Sequence, residues 1–231
     1  MKEKQRRTFT IIIAVLAICL GLFFSNQPPQ SKVESEQISI NSENALVALE
    51  KLQVKGRAPK TDYSRDQFGD GWDSLDGCDV RNLVLKRDLT ESKFDQDGCT
   101  VLSGKLHDPY SEKQIDFTKG EATSQLVQID HVVALSDAWQ KGAQDLSAQK
   151  RQELANDSLN LLAVDGKLNQ QKSDSDAASW LPPNKNYRCA YVARQIAVKT
   201  KYLLWVTSAE YTALKNVLQG CPDQVLPVES G

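Results

Sequence analysis

Residues 1–25 constrain this chain most, because they decide the redox conditions in which the rest must fold. Lys2, Lys4, Arg6 and Arg7 precede an apolar run from Phe9 to Phe24, interrupted only by Thr10 and Gly21, and no charge occurs between Arg7 and Lys32. Basic residues followed by an apolar run describe a signal peptide or a single membrane anchor. The run is long for a signal core and short for a spanning helix, and no small-x-small cleavage site follows it, so both readings stand. Either one exports the chain. Outside the leader, which holds Cys19, four cysteines remain: Cys78, Cys99, Cys189 and Cys221. An even number in an exported chain predicts two disulfides. Three connectivities exist, of which Cys78–Cys99 with Cys189–Cys221 is favoured because each bridge closes a local loop. A zinc site is the weaker alternative, since no two of these cysteines have CxxC spacing and the chain has only 2 histidines.

Behind the leader, residues 26–41 are polar with a Pro-Pro pair and read as a flexible spacer. Residues 42–231 are expected to form one domain. A hydrophobic content of 40% and a charged content of 25% describe an ordinary folded protein. The net charge is −2, and the leader holds four bases against Glu3, so the remainder is more acidic still. That counts mildly against nucleic-acid binding, which usually leaves a basic footprint. Periodicity predicts a helix over 42–52, with Ser42 as its cap, and a short helix over 82–89. A hairpin is expected from Thr100 to Phe117, turning at Asp108-Pro109-Tyr110, with His107 as a surface residue beside the turn. Helices are expected over 135–139, 146–156 and 188–202. A last helix opens at the capping box Thr207-Ser208-Ala209-Glu210 and stops at Gly220. Asp70, Asp73, Asp76 and Asp79 recur among glycines, but their spacing misses the EF-hand pattern, and a turn region is the simpler reading.

The stretch from Gln128 to Lys172 carries the chemistry. Gln128-Ile129-Asp130-His131-Val132-Val133 reads as a strand with an acid beside a histidine. Asn160-Leu161-Leu162-Ala163-Val164-Asp165-Gly166 reads as a second strand ending in a turn, and Asn169 lies near the start of a helix. Strand, strand, helix with this residue set resembles the ββα-metal (His-Me finger) core of HNH-type endonucleases. It is most similar to the HNH-like domain of GmrSD-type restriction enzymes and of many secreted Gram-positive bacterial proteins. The similarity includes the blocks CDVRN, SGKLHDPY, WLPPNKNYRC and the C-terminal helices, and it runs from about Tyr63 to Cys221.

What this resemblance implies is an α+β fold: a ββα-metal core, an N-terminal hairpin region, a C-terminal helical cover and two disulfides. It implies that Asp130 and Asn169 are metal ligands, that His131 is the general base and that Asn160 orients the imidazole. Oxygen ligands suit one hard divalent cation, Mg²⁺ first, with Mn²⁺ or Ca²⁺ as alternatives. A histidine titrating near neutrality suits proton abstraction from water. Arg81 and Lys172 are candidate phosphate contacts. Trp139, Trp180 and Trp205 are expected in the core rather than stacked on bases. The long gap between His131 and Asn160 departs from the family pattern and implies an inserted helix. Neighbours on a strand point to opposite faces, so Asp130 and His131 share a site only where the strand ends or distorts.

The expected activity is hydrolysis of DNA, and of RNA as a second substrate, by a monomer that meets membrane only through its N-terminal segment. The alternative is an exported module that binds nucleic acid or cell wall on the same fold without activity. A metalloprotease is a poor third, for want of HExxH.

Overall fold

The computed structural model describes residues 43–121 and 123–228, which all belong to one compact unit. The leader, the spacer and Ser42 lie outside the described residues. The first helix, α1 (Ala45–Lys51), is capped by the Asn44 side chain rather than by Ser42. Next come two residue pairs, β1 (Ser74–Leu75) and β2 (Cys78–Asp79), which form a small antiparallel ladder. The Asp79 carboxylate then accepts from the Asn82 amide and opens α2 (Val80–Asp88), two residues earlier than the periodicity suggests. None of the four regularly spaced aspartates belongs to a group suited to hold a metal among the described residues.

The expected hairpin is present as β4 (Val101–His107) and β5 (Gln114–Thr118), and His107 is exposed at its end. A third strand, β3 (Leu89–Phe94), follows α2 without a loop and pairs with β4, so the hairpin is part of a three-stranded sheet. The sequence LTESKF hides β3, because it is almost wholly exposed and shows little apolar alternation.

A separate antiparallel pair forms the middle of the molecule. In it β6 (Val127–His131) runs in register with β7 (Leu161–Asp165), from Val127 opposite Asp165 to His131 opposite Leu161. Helix α5 (Gly166–Lys172) follows β7 directly, with the Asp165 side chain capping the Leu168 amide. This ribbon is buried on both faces, which explains the continuous apolar run in β7. Leu161 and Ala163 pack with α2 and the three-stranded sheet, whereas Leu162 and Val164 pack with Tyr110, Tyr191 and the helices.

The insertion between β6 and β7 holds α3 (Leu135–Trp139) and α4 (Ala148–Asn156). Trp139 is core, edge-on to Tyr63 and Phe68, and Trp180 packs edge-on to Tyr110 and Tyr191. The C-terminal cover consists of α6 (Arg188–Lys201) and α7 (Ser208–Leu218). Thr207 caps α7 as expected, but the Glu210 carboxylate bonds the buried ammonium groups of Lys141 and Lys199. Both disulfides have the local pairing: Cys78–Cys99 fastens β2 beside the three-stranded sheet, and Cys189–Cys221 ties α6 to the end of α7. No described helix is long and apolar enough to cross a membrane.

Candidate active site

The strand β6 ends at His131, and that ending brings two opposite-facing neighbours to one cleft. Asp130 points toward the helical cover. Its Oδ2 accepts from the Tyr110 hydroxyl at 2.5 Å, and its Oδ1 accepts from the Lys172 ammonium at 2.9 Å. Burial raises the Asp130 pKa, and the Lys172 charge and the Tyr110 hydroxyl pull against that rise. Burial likewise lifts the Tyr110 phenol well above its usual value, helped by the Asp130 charge.

His131 points the other way. Its Nε2 lies 2.9 Å from the Ala155 carbonyl, in the last turn of α4. A carbonyl only accepts, so Nε2 carries the proton and Nδ1 keeps its lone pair. The Trp72 ring stacks on the imidazole, with centroids 5.9 Å apart and planes within 5°. His131 as a whole is 8% exposed. Burial lowers its pKa to about 3, against the Ala155 bond; the positive charges of Arg65 and Lys172 add to the fall.

Two open cavities meet at this imidazole. The larger, about 470 Å³, is lined by Asp130, His131, Asn169, Gln128, Asp174 and Arg65, among others. The smaller, about 360 Å³, lies on the Trp72 side and is lined by His131, Arg65, Asp66, Asp70 and Ala155, among others. Asp130, His131 and Asn169 all line the larger cavity.

Three expected roles need correction. Asn160 does not contact the imidazole. It is fully buried, its Oδ1 accepts from the Val133 amide at 2.8 Å, and its Nδ2 donates to the Val133 and Leu154 carbonyls. The ring is held by Ala155, and Asn160 secures the adjoining Leu154 carbonyl and the backbone that leaves β6. Lys172 is not a surface phosphate contact. It is 0% exposed, and its ammonium is given to Asp130 and to the His131 carbonyl at 2.9 Å each. Its position one turn after Asn169 turns it inward, under the ribbon. Arg81 is half-buried in the first turn of α2 and lines neither cavity; burial lowers its pKa against the pull of Asp79.

Asn169 sits mid-helix in α5, and its amide nitrogen donates to Gln128 Oε1 at 3.0 Å. Its amide oxygen has no hydrogen-bond donor among the described residues. Asp174 bonds Lys60 and Ser136, which hold its pKa below the usual carboxylate range. Asp176 turns away from the cleft toward Lys141 and Arg57. The residues that pattern reading missed are Tyr110, Trp72, Arg65 and Ala155. Tyr110 lay within a block already singled out, SGKLHDPY, but nothing local says that its hydroxyl reaches a strand twenty residues on.

Residues 79–217 match the family of C-terminal domains of GmrSD restriction endonucleases. The chain belongs to that family. A relative from Arthroderma benhamiae, described as an uncharacterized secreted protein, is 40% identical over 184 residues, which span 78% of this chain and 86% of the relative. No solved structure matches the chain. The family match begins at Asp79, so Arg65, Trp72 and other residues that line the cavities come from sequence in front of it.

Proposed function

We propose that this GmrSD-type domain is an exported, divalent-metal-dependent endonuclease that hydrolyses phosphodiester bonds of DNA, with RNA as a second substrate. One observation carries the reading: His131 lines two open cavities with Nε2 given to a carbonyl and Nδ1 left as a proton acceptor, and Asp130 and Asn169 line the larger cavity with it. Export draws on the basic-apolar leader and on the relative described as secreted. A monomer, with no membrane contact beyond the leader, completes the proposal.

The oxygen donors fit a hard, largely hydrated cation. Asp130 has one donor on each oxygen and a carboxylate offers about four acceptor sites, so acceptor capacity remains. The Asn169 amide oxygen is the second donor, and Mg²⁺ typically takes only one or two protein oxygens and keeps its waters. Among the described residues no cluster of three His, Cys, Asp or Glu side chains could hold a metal, so zinc is not the ion expected. When bound, such a cation supplies positive charge to the phosphate and to the departing oxygen.

The chain's own residues do the rest. His131 Nδ1 accepts a proton from water as the water oxygen bonds to phosphorus. The phosphorus–oxygen bond to the leaving group breaks, and a proton from solvent or from the imidazolium ends on the alkoxide. Burial keeps the imidazole neutral, and the bond from Nε2 to Ala155 leaves the Nδ1 lone pair to take the proton. The Ala155 carbonyl fixes the tautomer and also favours the imidazolium once formed. Trp72 holds the ring plane, and Asn160 anchors the backbone on either side.

The second reading, a binding module without activity, draws on the fact that both Asp130 oxygens already carry donors, one of them a cation. Incubation of the protein with supercoiled plasmid in Mg²⁺ or Mn²⁺, with and without EDTA, separates the two. The endonuclease nicks plasmid only in metal, and His131→Ala lowers the rate by at least about 100-fold, the range for removing a general base. Plasmid that is retarded in a gel but never nicked would establish the module instead.

A further inference from the structure

The two cavities are short of positive charge. Asp66 and Asp70 line the smaller one, and Asp130 and Asp174 the larger. Lys172, one turn after Asn169, is spent on Asp130 and the His131 carbonyl. Among the described residues, Arg65 is the single Lys or Arg that lines either cavity, and it lines both.

Its placement is built rather than incidental. Arg65 opens a 3₁₀ turn, Arg65–Phe68, whose far end is locked. Phe68 is buried edge-on to Tyr63 and Trp139. Arg151 of α4 donates from Nε to the Gln67 carbonyl at 2.7 Å and from its guanidinium to Gln67 Oε1 at 3.1 Å. The backbone of this turn is thus fixed to the same helix that supplies the Ala155 carbonyl. The Arg65 side chain, by contrast, is exposed, and among the described residues its guanidinium has no ion-pair or hydrogen-bond partner. Its charge is felt at His131.

We propose that Arg65 is the phosphate-binding residue of this cleft, presenting its guanidinium fork to a phosphodiester oxygen pair at the shared mouth of the two cavities. The inference rests on reading the cleft as a nucleic-acid site. A planar, always-charged fork matches two phosphate oxygens, and an unpaired fork loses no internal contact on binding. The segment before the family-matched domain is therefore part of the site.

The test uses the full chain. In a His131→Ala background with EDTA, a fluorescent DNA duplex is titrated at several salt concentrations, with and without Arg65→Ala. The expected result is binding weakened by about tenfold or more and a log K against log salt slope smaller by about one, as for loss of one phosphate contact. Arg65→Lys retains the slope and recovers part of the affinity. In the otherwise natural chain, Arg65→Ala lowers plasmid cleavage while the thermal melt is unchanged, since the side chain is exposed. Unaltered affinity and salt slope in Arg65→Ala overturn the proposal, even if plasmid is cleaved and His131 proves essential. Absence of cleavage by the natural chain, with binding still lost in Arg65→Ala, overturns the enzymatic reading and leaves the phosphate site standing.

Discussion

At the scale of single residues, the cleft separates two adjacent side chains by giving each a different kind of partner. Asp130 is held by two donors, Tyr110 and Lys172, whereas His131 is held by one acceptor and one ring. Burial keeps the imidazole neutral against the pull of its carbonyl partner, and this has a consequence for stability in metal-free protein. The unfolded chain binds a proton on His131 below about 6.5, whereas the folded chain takes it up only near 3. Between those values the unfolded state holds the extra proton, so stability is full above pH 6.5 and declines as the pH falls toward 3. In EDTA the urea midpoint of the natural chain should drop between pH 7 and pH 5 more steeply than that of His131→Asn, which has no such proton. Parallel midpoints in the two proteins would show that burial of the ring has no bearing on acid stability. The pair Asp130-His131 was legible in the sequence because both side chains and the strand pattern are local. Their partners were not, since Tyr110, Lys172, Trp72 and Ala155 reach the pair from four separate stretches of chain.

At the scale of elements, the junction of β7 and α5 carries the most restrictive contact. A Cβ on Gly166 would lie 2.0 Å from the Gln125 carbonyl oxygen, and the Gly166 amide donates to the Leu126 carbonyl at 2.9 Å. Backbone sits on backbone there, so no side-chain shift can make room. Gly166→Ala should cost at least about 2–3 kcal/mol, toward the upper end for strain and overpacking, and should displace α5, the helix that bears both Asn169 and Lys172. The check is thermal melting beside Gly56→Ala, where an added Cβ meets nothing within 4 Å. Equal melting of the two variants would refute the contact. Amphipathic or capped elements were readable in advance: α6, α7 and the helices of the insertion fall close to their expected bounds. The ribbon strands were readable too, because two-sided burial leaves an apolar run. Strand β3 and the early start of α2 were not, since an exposed strand has no alternation and an Asp cap looks like one more acid in an acidic turn.

For the whole molecule, six charged side chains from five stretches of sequence do what a larger apolar core would otherwise do. Lys141 contacts Asp137, Asp176 and Glu210 at 2.6–2.7 Å; Lys199 reaches Glu210 and Asp137; and Arg57 bonds Asp137 and Asp176. Three cations meet three carboxylates, and all but Arg57 are buried. The cluster joins the chain before β1, helix α3, the segment after α5, and both cover helices. It also borders the cleft, because Ser136 adjoins Asp137, Asp174 lies two residues before Asp176, and the two bond each other at 2.9 Å. A complete buried network of this kind adds little net stability over apolar residues of the same volume, but removal of one member leaves a buried charge without compensation. Lys141→Met deletes the one cation that touches all three carboxylates. It should destabilise the fold by about 3–5 kcal/mol, and so lower the Tm by roughly 10 °C at the usual ratio for a unit of this size. Exchanging its partners as well, in Lys141→Met with Asp176→Asn and Glu210→Gln, should restore part of that loss, since fewer charges then lie unpaired. Differential scanning fluorimetry of the single and triple variants measures both effects, and a triple variant no more stable than the single one would show that the carboxylates do not act through Lys141.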